Sequence, residues 1–134
     1  MDMSAAAENR QARRRVLIAE DDPITCELFS NLLGGFDGVE IVSVADGREA
    51  LMQALTEHFD LILTDQNLPE LAGDKLFRHL RASRNINSDT RMMLLSASSL
   101  DELESQGVHI PRECYMSKPV QPRTFLEAVT PFLE

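Results

Sequence analysis

Leu61-Ile62-Leu63 sets three large aliphatic residues directly before Thr64 and Asp65. A short run that is apolar on both faces suits a central strand of a parallel sheet. Asn67, Pro69 and Gly73 then mark a loop, which puts Asp65 at the carboxyl end of the strand. Comparable apolar runs at residues 16–19, 39–44 and 92–95 predict three more strands, and residues 113–116 predict a short fifth. The segments between them carry helical spacing. Asp22 as N-cap and Pro23 as first helical residue open a helix with Ile24, Leu28 and Leu32 on its inward face, ended by Gly34-Gly35. Asp46-Gly47 leads into a second helix with Ala50, Leu51, Ala54 and Leu55 inward. Asp74 opens a third, with Leu76, Phe77 and Leu80 toward the core. A fourth, over 98–106, has only Leu100 and Leu103 as large apolar residues, which implies low local stability. The last starts near Pro122, faces Phe125, Leu126 and Val129 inward, and is limited by Pro131.

Five strands alternating with five helices make an α/β domain with a doubly wound, five-stranded parallel sheet. The flavodoxin-like strand order 2-1-3-4-5 is the choice for this element count. The chain of 134 residues suits one domain over 15–134, preceded by a flexible tail over 1–14. No internal repeat or second domain is visible, and the initiator-like Met1 fits an N-terminal origin.

Charge narrows the function. The net charge is −9, yet the first fifteen residues hold four arginines against two acids, so the remainder is two units more acidic still. An acidic body repels nucleic acid. With no Trp and one Tyr, stacking on bases is not its chemistry either. Such a body gathers acids around a cation or meets a basic partner. Cys26 and Cys114 lack metal spacing and read as reduced thiols. No apolar run approaches the ~18 residues of a membrane span, and no signal-peptide pattern is present. The expectation is a soluble cytoplasmic protein with no membrane contact.

The predicted topology brings the ends of strands one, three, four and five to one edge: Glu20 and Asp21, Asp65, Ser96, and Lys118. Three converging carboxylates repel, and a hard divalent cation resolves this; oxygen-only ligands favour Mg²⁺ over zinc. Lys118 adds positive charge from the other side. One carboxylate flanked by Mg²⁺, an ammonium and a hydroxyl can hold the three oxygens of a transferring phosphoryl group. Asp65 is the nucleophile of such a site, forming an acyl phosphate.

These motifs resemble the receiver domain of response regulators in two-component signalling. The resemblance spans about residues 15–133. It rests on an apolar strand followed by Glu20-Asp21, on Asp65 with Leu68-Pro69 and Gly73 after it, on Ser96-Ala97, and on Lys118-Pro119. It implies that Asp65 accepts the phosphoryl group. It further implies that Asp21, Asp65 and the backbone carbonyl of Asn67 ligate Mg²⁺, with Glu20 acting mostly through a metal-bound water. Lys118, the Ser96 hydroxyl and the Ala97 backbone amide would bind phosphoryl oxygens, and Ser96 with Tyr115 would form the switch. Glu20 stands where the family often has Asp, and Leu68 where it often has Met. The implied donor is a sensor histidine kinase or a histidine phosphotransfer protein. The implied recipient is a downstream protein target or fused output domain, with a phosphorylation-dependent dimer as one form of output. The domain would assist its own phosphorylation and dephosphorylation without being a turnover enzyme. His58, His79 and His109 have no assigned role.

Three rivals share parts of this pattern. A Mg²⁺-dependent phosphohydrolase of the haloacid-dehalogenase type needs a second Asp where Asn67 stands, and an amide is a poor general acid or base. A flavodoxin-like electron carrier needs a glycine- and hydroxyl-rich loop after strand one, where this chain has Glu20-Asp21-Asp22. A receiver-like interaction module that acts without phosphorylation would have no need of the acids, serine and lysine together.

Overall fold

The computed structural model describes residues 13–134, so most of the tail expected over 1–14 lies outside the described residues. The strands are β1 (Arg14–Ala19), β2 (Val39–Val44), β3 (Leu61–Asp65), β4 (Arg91–Ser96) and β5 (Tyr115–Ser117). The α-helices are α1 (Pro23–Leu33), α2 (Gly47–Thr56), α3 (Gly73–Ala82), α4 (Leu100–Ser105) and α5 (Pro122–Leu133). All pairings are parallel, in the order β2-β1-β3-β4-β5. The doubly wound order expected from the sequence is the one observed.

Alternation along the inner strands divides the interior. Val16, Ile18, Leu61, Leu63, Met93 and Leu95 pack on one face against Phe29, Leu33, Phe125, Val129 and Leu133 of α1 and α5. The Phe29 and Phe125 rings stack at 5.3 Å between centroids and join those two helices. Leu17, Ala19, Ile62 and Met92 pack on the other face against Ala50, Ala54, Leu76 and Leu80 of α2 and α3. Burying each Leu or Phe contributes about 1.5–3 kcal/mol, so the three central strands anchor everything else. Under α4 the cluster is smaller: Leu94, Leu103, Val108, Ile110 and Cys114, with Leu100 half-buried. A capping box of Ser99 and Glu102 compensates in part for that thin apolar face.

Several local expectations are corrected. The α1 face is Phe29 and Leu33 with Cys26 and Leu32 beside them, while Ile24 is 78% exposed and Leu28 also faces outward. The helix carries two apolar stripes, and the Phe29–Phe125 stack selects between them. Leu55 is exposed because α2 packs through its small residues Gly47, Ala50 and Ala54, which leaves no room to turn a leucine inward. The first strand begins at Arg14, inside the expected tail. Residues 112–114 form a 3₁₀ turn, so Glu113 and Cys114 precede β5 and the strand runs to Ser117. Helix α5 continues through Pro131 to Leu133. Helix α4 is shorter than 98–106, with Ser99 as its N-cap. Both cysteines are free. Among the described residues no helix is long and apolar enough to cross a membrane.

At the amino-terminal edge of the sheet, Asn87 is fully buried. Its Oδ1 accepts from Phe59 N–H and from the Thr90 hydroxyl, both at 2.9 Å. Its Nδ2 donates to the carbonyls of Ala54 and Glu57. One side chain thus ties the end of α2 to the starts of β3 and β4.

Candidate functional site

Parallel pairing sends every strand end to the same edge. Glu20 follows β1 directly and is buried; Asp21 beside it is exposed. Asp65 ends β3, Ser96 ends β4, and both are buried. Lys118 follows β5, and its backbone N–H donates to the Ser96 carbonyl at 2.9 Å. The Lys118-Pro119 peptide bond is cis.

Glu20, Asp21 and Asp65 each offer a carboxylate oxygen within 4.8 Å of the others. The Lys118 Nζ lies 2.9 Å from Glu20 Oε1 and 3.1 Å from Asp65 Oδ1. Three carboxylates face one ammonium, so the cluster is net negative. Burial pushes the Glu20 carboxyl above its ordinary range; the Lys118 hydrogen bond opposes this and the Asp65 charge adds to it. Burial works to lower the Lys118 pKa, but hydrogen bonds to Glu20 and Asp65 outweigh it, and the ammonium is held above its ordinary value. Next to the cluster, Asp22 caps α1 and its carboxyl is held low, chiefly by the Thr25 hydroxyl at 2.6 Å.

The donor set suits a hard cation. It is all oxygen and partly preformed, it has excess negative charge, and its exposed member, Asp21, leaves solvent access for water ligands. Asn67 lies two residues past Asp65 on the β3–α3 loop and is exposed. Ala97, one residue past Ser96, is exposed as well.

The Ser96 hydroxyl is engaged within its own loop, where it accepts from Ser98 N–H at 3.0 Å. Among the described residues no hydrogen bond links it to Asp65 or Lys118. Tyr115, half-buried at the start of β5, donates its hydroxyl to the Ser98 carbonyl at 2.6 Å. Ser96 and Tyr115 therefore hold the same residue, one through its N–H and the other through its carbonyl.

Burial, followed by the Glu102 charge, raises the Tyr115 pKa. It is the single tyrosine, with no tryptophan present, so ultraviolet absorbance reports it alone. A pH titration is expected to place phenolate formation above the unfolded value of about 10. The folded state then keeps its proton where the unfolded chain has lost it. Stability is therefore full below pH ~10 and declines as pH rises through the folded pKa. Ionisation at or below the free-tyrosine value would contradict the burial of the Tyr115 hydroxyl beside Glu102.

A family model described as the response regulator receiver domain matches residues 16–130. The chain belongs to that family. It is 29% identical over 120 residues to the polar-differentiation response regulator DivK of Brucella ovis, covering 90% of this chain and 96% of DivK. It is also 29% identical over 110 residues to the alkaline phosphatase synthesis transcriptional regulatory protein PhoP of Bacillus subtilis, covering 82% of this chain but 44% of PhoP. Among solved structures, the chemotaxis response regulator CheY4 of Vibrio cholerae superposes with a TM-score of 0.75 at 28% identity, over 90% of this chain and 99% of that one. The receiver domain of the sensor histidine kinase PA1611 from Pseudomonas aeruginosa shares the fold, with a TM-score of 0.76 at 24% identity over 90% and 98% of the two chains. That structure holds a magnesium ion in its active-site cleft. The chain is thus a receiver domain of two-component signalling, a family of switches rather than turnover enzymes. Its cluster of Glu20, Asp21 and Asp65 is typical of the family's phospho-accepting pocket.

Sequence reasoning missed Gln66, and it gave Asp74 and Gly47 other roles, as the opening of the third helix and the turn into the second. Asp74 does not open α3; Gly73 does, and Ala72 as N-cap provides no side-chain hydrogen bond. The Gln66 side chain fills that role, accepting from Asp74 N–H at 2.8 Å and donating to Asp74 Oδ1 at 2.9 Å. A polar residue between a strand-end acid and a Pro-containing loop was the one available signal. The loop is also braced by Gly47, whose N–H donates to the Pro69 carbonyl at 3.0 Å.

Proposed function

We propose that this domain is a phosphorylation-dependent switch with Asp65 as acceptor and a histidine kinase or histidine phosphotransfer protein as donor. The observation that carries this reading is the Lys118 ammonium bridging buried Asp65 and Glu20, with Asp21 alongside, in a receiver domain. An Asp65 carboxylate oxygen attacks phosphorus, the phosphorus–nitrogen bond of the phosphohistidine breaks, and its electron pair returns to the imidazole. Asp21, Asp65 and the Asn67 carbonyl would hold Mg²⁺, with Glu20 acting through a water, and the ion would supply positive charge for the phosphoryl oxygens. Lys118, already charged, pairs with those oxygens as the acyl phosphate forms. The Ala97 amide and the Ser96 hydroxyl donate to them. Acetyl phosphate or a phosphorylated kinase is expected to label the protein once, with Mg²⁺ present and not without it. No labelling under either condition would overturn the reading.

The added group brings about −1.5 to −2 charges and three acceptor oxygens. To donate to them, the Ser96 hydroxyl turns away from Ser98, and the loop that Tyr115 also holds shifts with it. Tyr115 then rotates inward, and the loosely packed α4 moves most. The output surface is α4, β5 and α5, which serves a protein target, a fused output domain or a second copy of the domain. The active-like state is populated at about 0.1–10% before phosphorylation. Beryllofluoride with Mg²⁺, a mimic of the phosphoryl group, is expected to change amide exchange mainly within residues 96–120. Ser96→Ala is expected to allow phosphorylation but weaken that response. Changes centred on α1 and α2, or a full response in Ser96→Ala, would sink this assignment.

A further inference from the structure

Gln66 directly follows Asp65, is buried, and has no part in the chemistry above. All four of its polar heavy atoms are nevertheless engaged. Its backbone N–H donates to the Leu95 carbonyl at 2.9 Å, and its own carbonyl accepts from Gly73 N–H at 3.0 Å. Its side chain forms the reciprocal pair with Asp74. The start of α3 is thereby pressed against the acceptor strand, so closely that a Cβ on Gly73 would lie 2.5 Å from the Asp65 carbonyl oxygen. The loop over 67–72, which carries Asn67, is closed at its stem by these bonds.

We propose that Gln66 is a positioning residue for the cation. By locking Gly73 and Asp74 against Asp65, it holds the Asp65 carboxylate and the Asn67 carbonyl at a fixed spacing. A fixed spacing favours small, octahedral Mg²⁺ over the more adaptable Ca²⁺. This rests on the cation site proposed above. Mg²⁺ demands near-ideal geometry at about 2.0–2.1 Å, whereas Ca²⁺ accepts six to eight oxygens at about 2.3–2.6 Å in flexible arrangements. Loosening one of the ligand-bearing segments therefore costs Mg²⁺ more than Ca²⁺. Partners that orient metal ligands typically govern about 10–100-fold in affinity.

The test is calorimetric titration of the full chain with Mg²⁺ and, separately, Ca²⁺, alongside thermal melting. Gln66→Met keeps the side chain's length but removes both bonds to Asp74. It is expected to weaken Mg²⁺ binding by about tenfold and Ca²⁺ binding less, so that the ratio of the two affinities falls. Asp74→Ala, at a half-exposed position, breaks only the outer bond and is expected to lower the ratio by less. The paired Gln66→Glu, Asp74→Asn variant exchanges donor and acceptor, re-forms the pair at unchanged net charge, and is expected to restore the ratio. A Gln66→Met protein with a lowered melting temperature but an unchanged ratio overturns the proposal and leaves Gln66 a cap of α3. Wild-type protein that binds no Mg²⁺ overturns the cation site itself, and this inference with it.

Discussion

Asp65→Asn is expected to remain folded and to accept no phosphoryl group. The substitution preserves volume at a buried position and removes the one carboxylate that both ends a central strand and contacts Lys118. An amide oxygen in its place is not a nucleophile for phosphorus. The fold tolerates the change because two effects oppose each other: attraction to Lys118 is lost, and so is repulsion from Glu20. The net change in stability is expected to be within about 1 kcal/mol. Incorporation from acetyl phosphate or a phosphorylated kinase is expected to drop to background, while wild-type protein carries an acid-stable, base-labile adduct. Undiminished labelling of the variant would reject Asp65 as the acceptor.

Gly47→Ala is expected to be the most disruptive single-methyl change at a described glycine. An added Cβ would lie 1.8 Å from the Leu71 carbonyl oxygen and 2.7 Å from the Leu71 carbonyl carbon and Cβ. These are largely backbone atoms of the β3–α3 loop, which no rotamer change can move aside. Either α2 withdraws from the sheet or the loop shifts away from the Pro69 contact. The cost is expected to be about 2–4 kcal/mol by denaturant unfolding. Gly35→Ala serves as the control, since the nearest atom to its Cβ is at 3.6 Å, an ordinary contact. Equal midpoints for the two variants would refute the close approach of α2 and the loop.

The three central strands are legible in the sequence because their residues are apolar on both faces, a signal needing no knowledge of neighbours. Strand ends follow from strands, so the placement of Glu20, Asp21, Asp65, Ser96 and Lys118 on one edge is legible too. Failures occur where a partner decides. The stripes of α1 differ by a small rotation, and Phe125, about a hundred positions away, chooses between them. Leu55 reads as core until the small-residue contact of α2 is known. Gln66 caps a helix from outside its own sequence window, and Asn87 reaches three groups about thirty residues distant. Such polar side chains carry no periodicity, so pattern reading passes over them.

Asn87 gives the sheet two unlike ends. At the amino-terminal edge, β3 and β4 emerge from a buried polar clamp that includes the end of α2. At the other edge β4 finishes in a loop held by single hydrogen bonds on Ser98, while the loop after β3 is tied down by Gln66. Mechanically β4 is a cantilever with a fixed root and a free tip. A force applied at a tip deflects the tip and its attachments, while the root passes little of it on to the rest of the fold. Residues 54–60 and 87–91 thus form a stationary frame against which displacement of the loops can be measured.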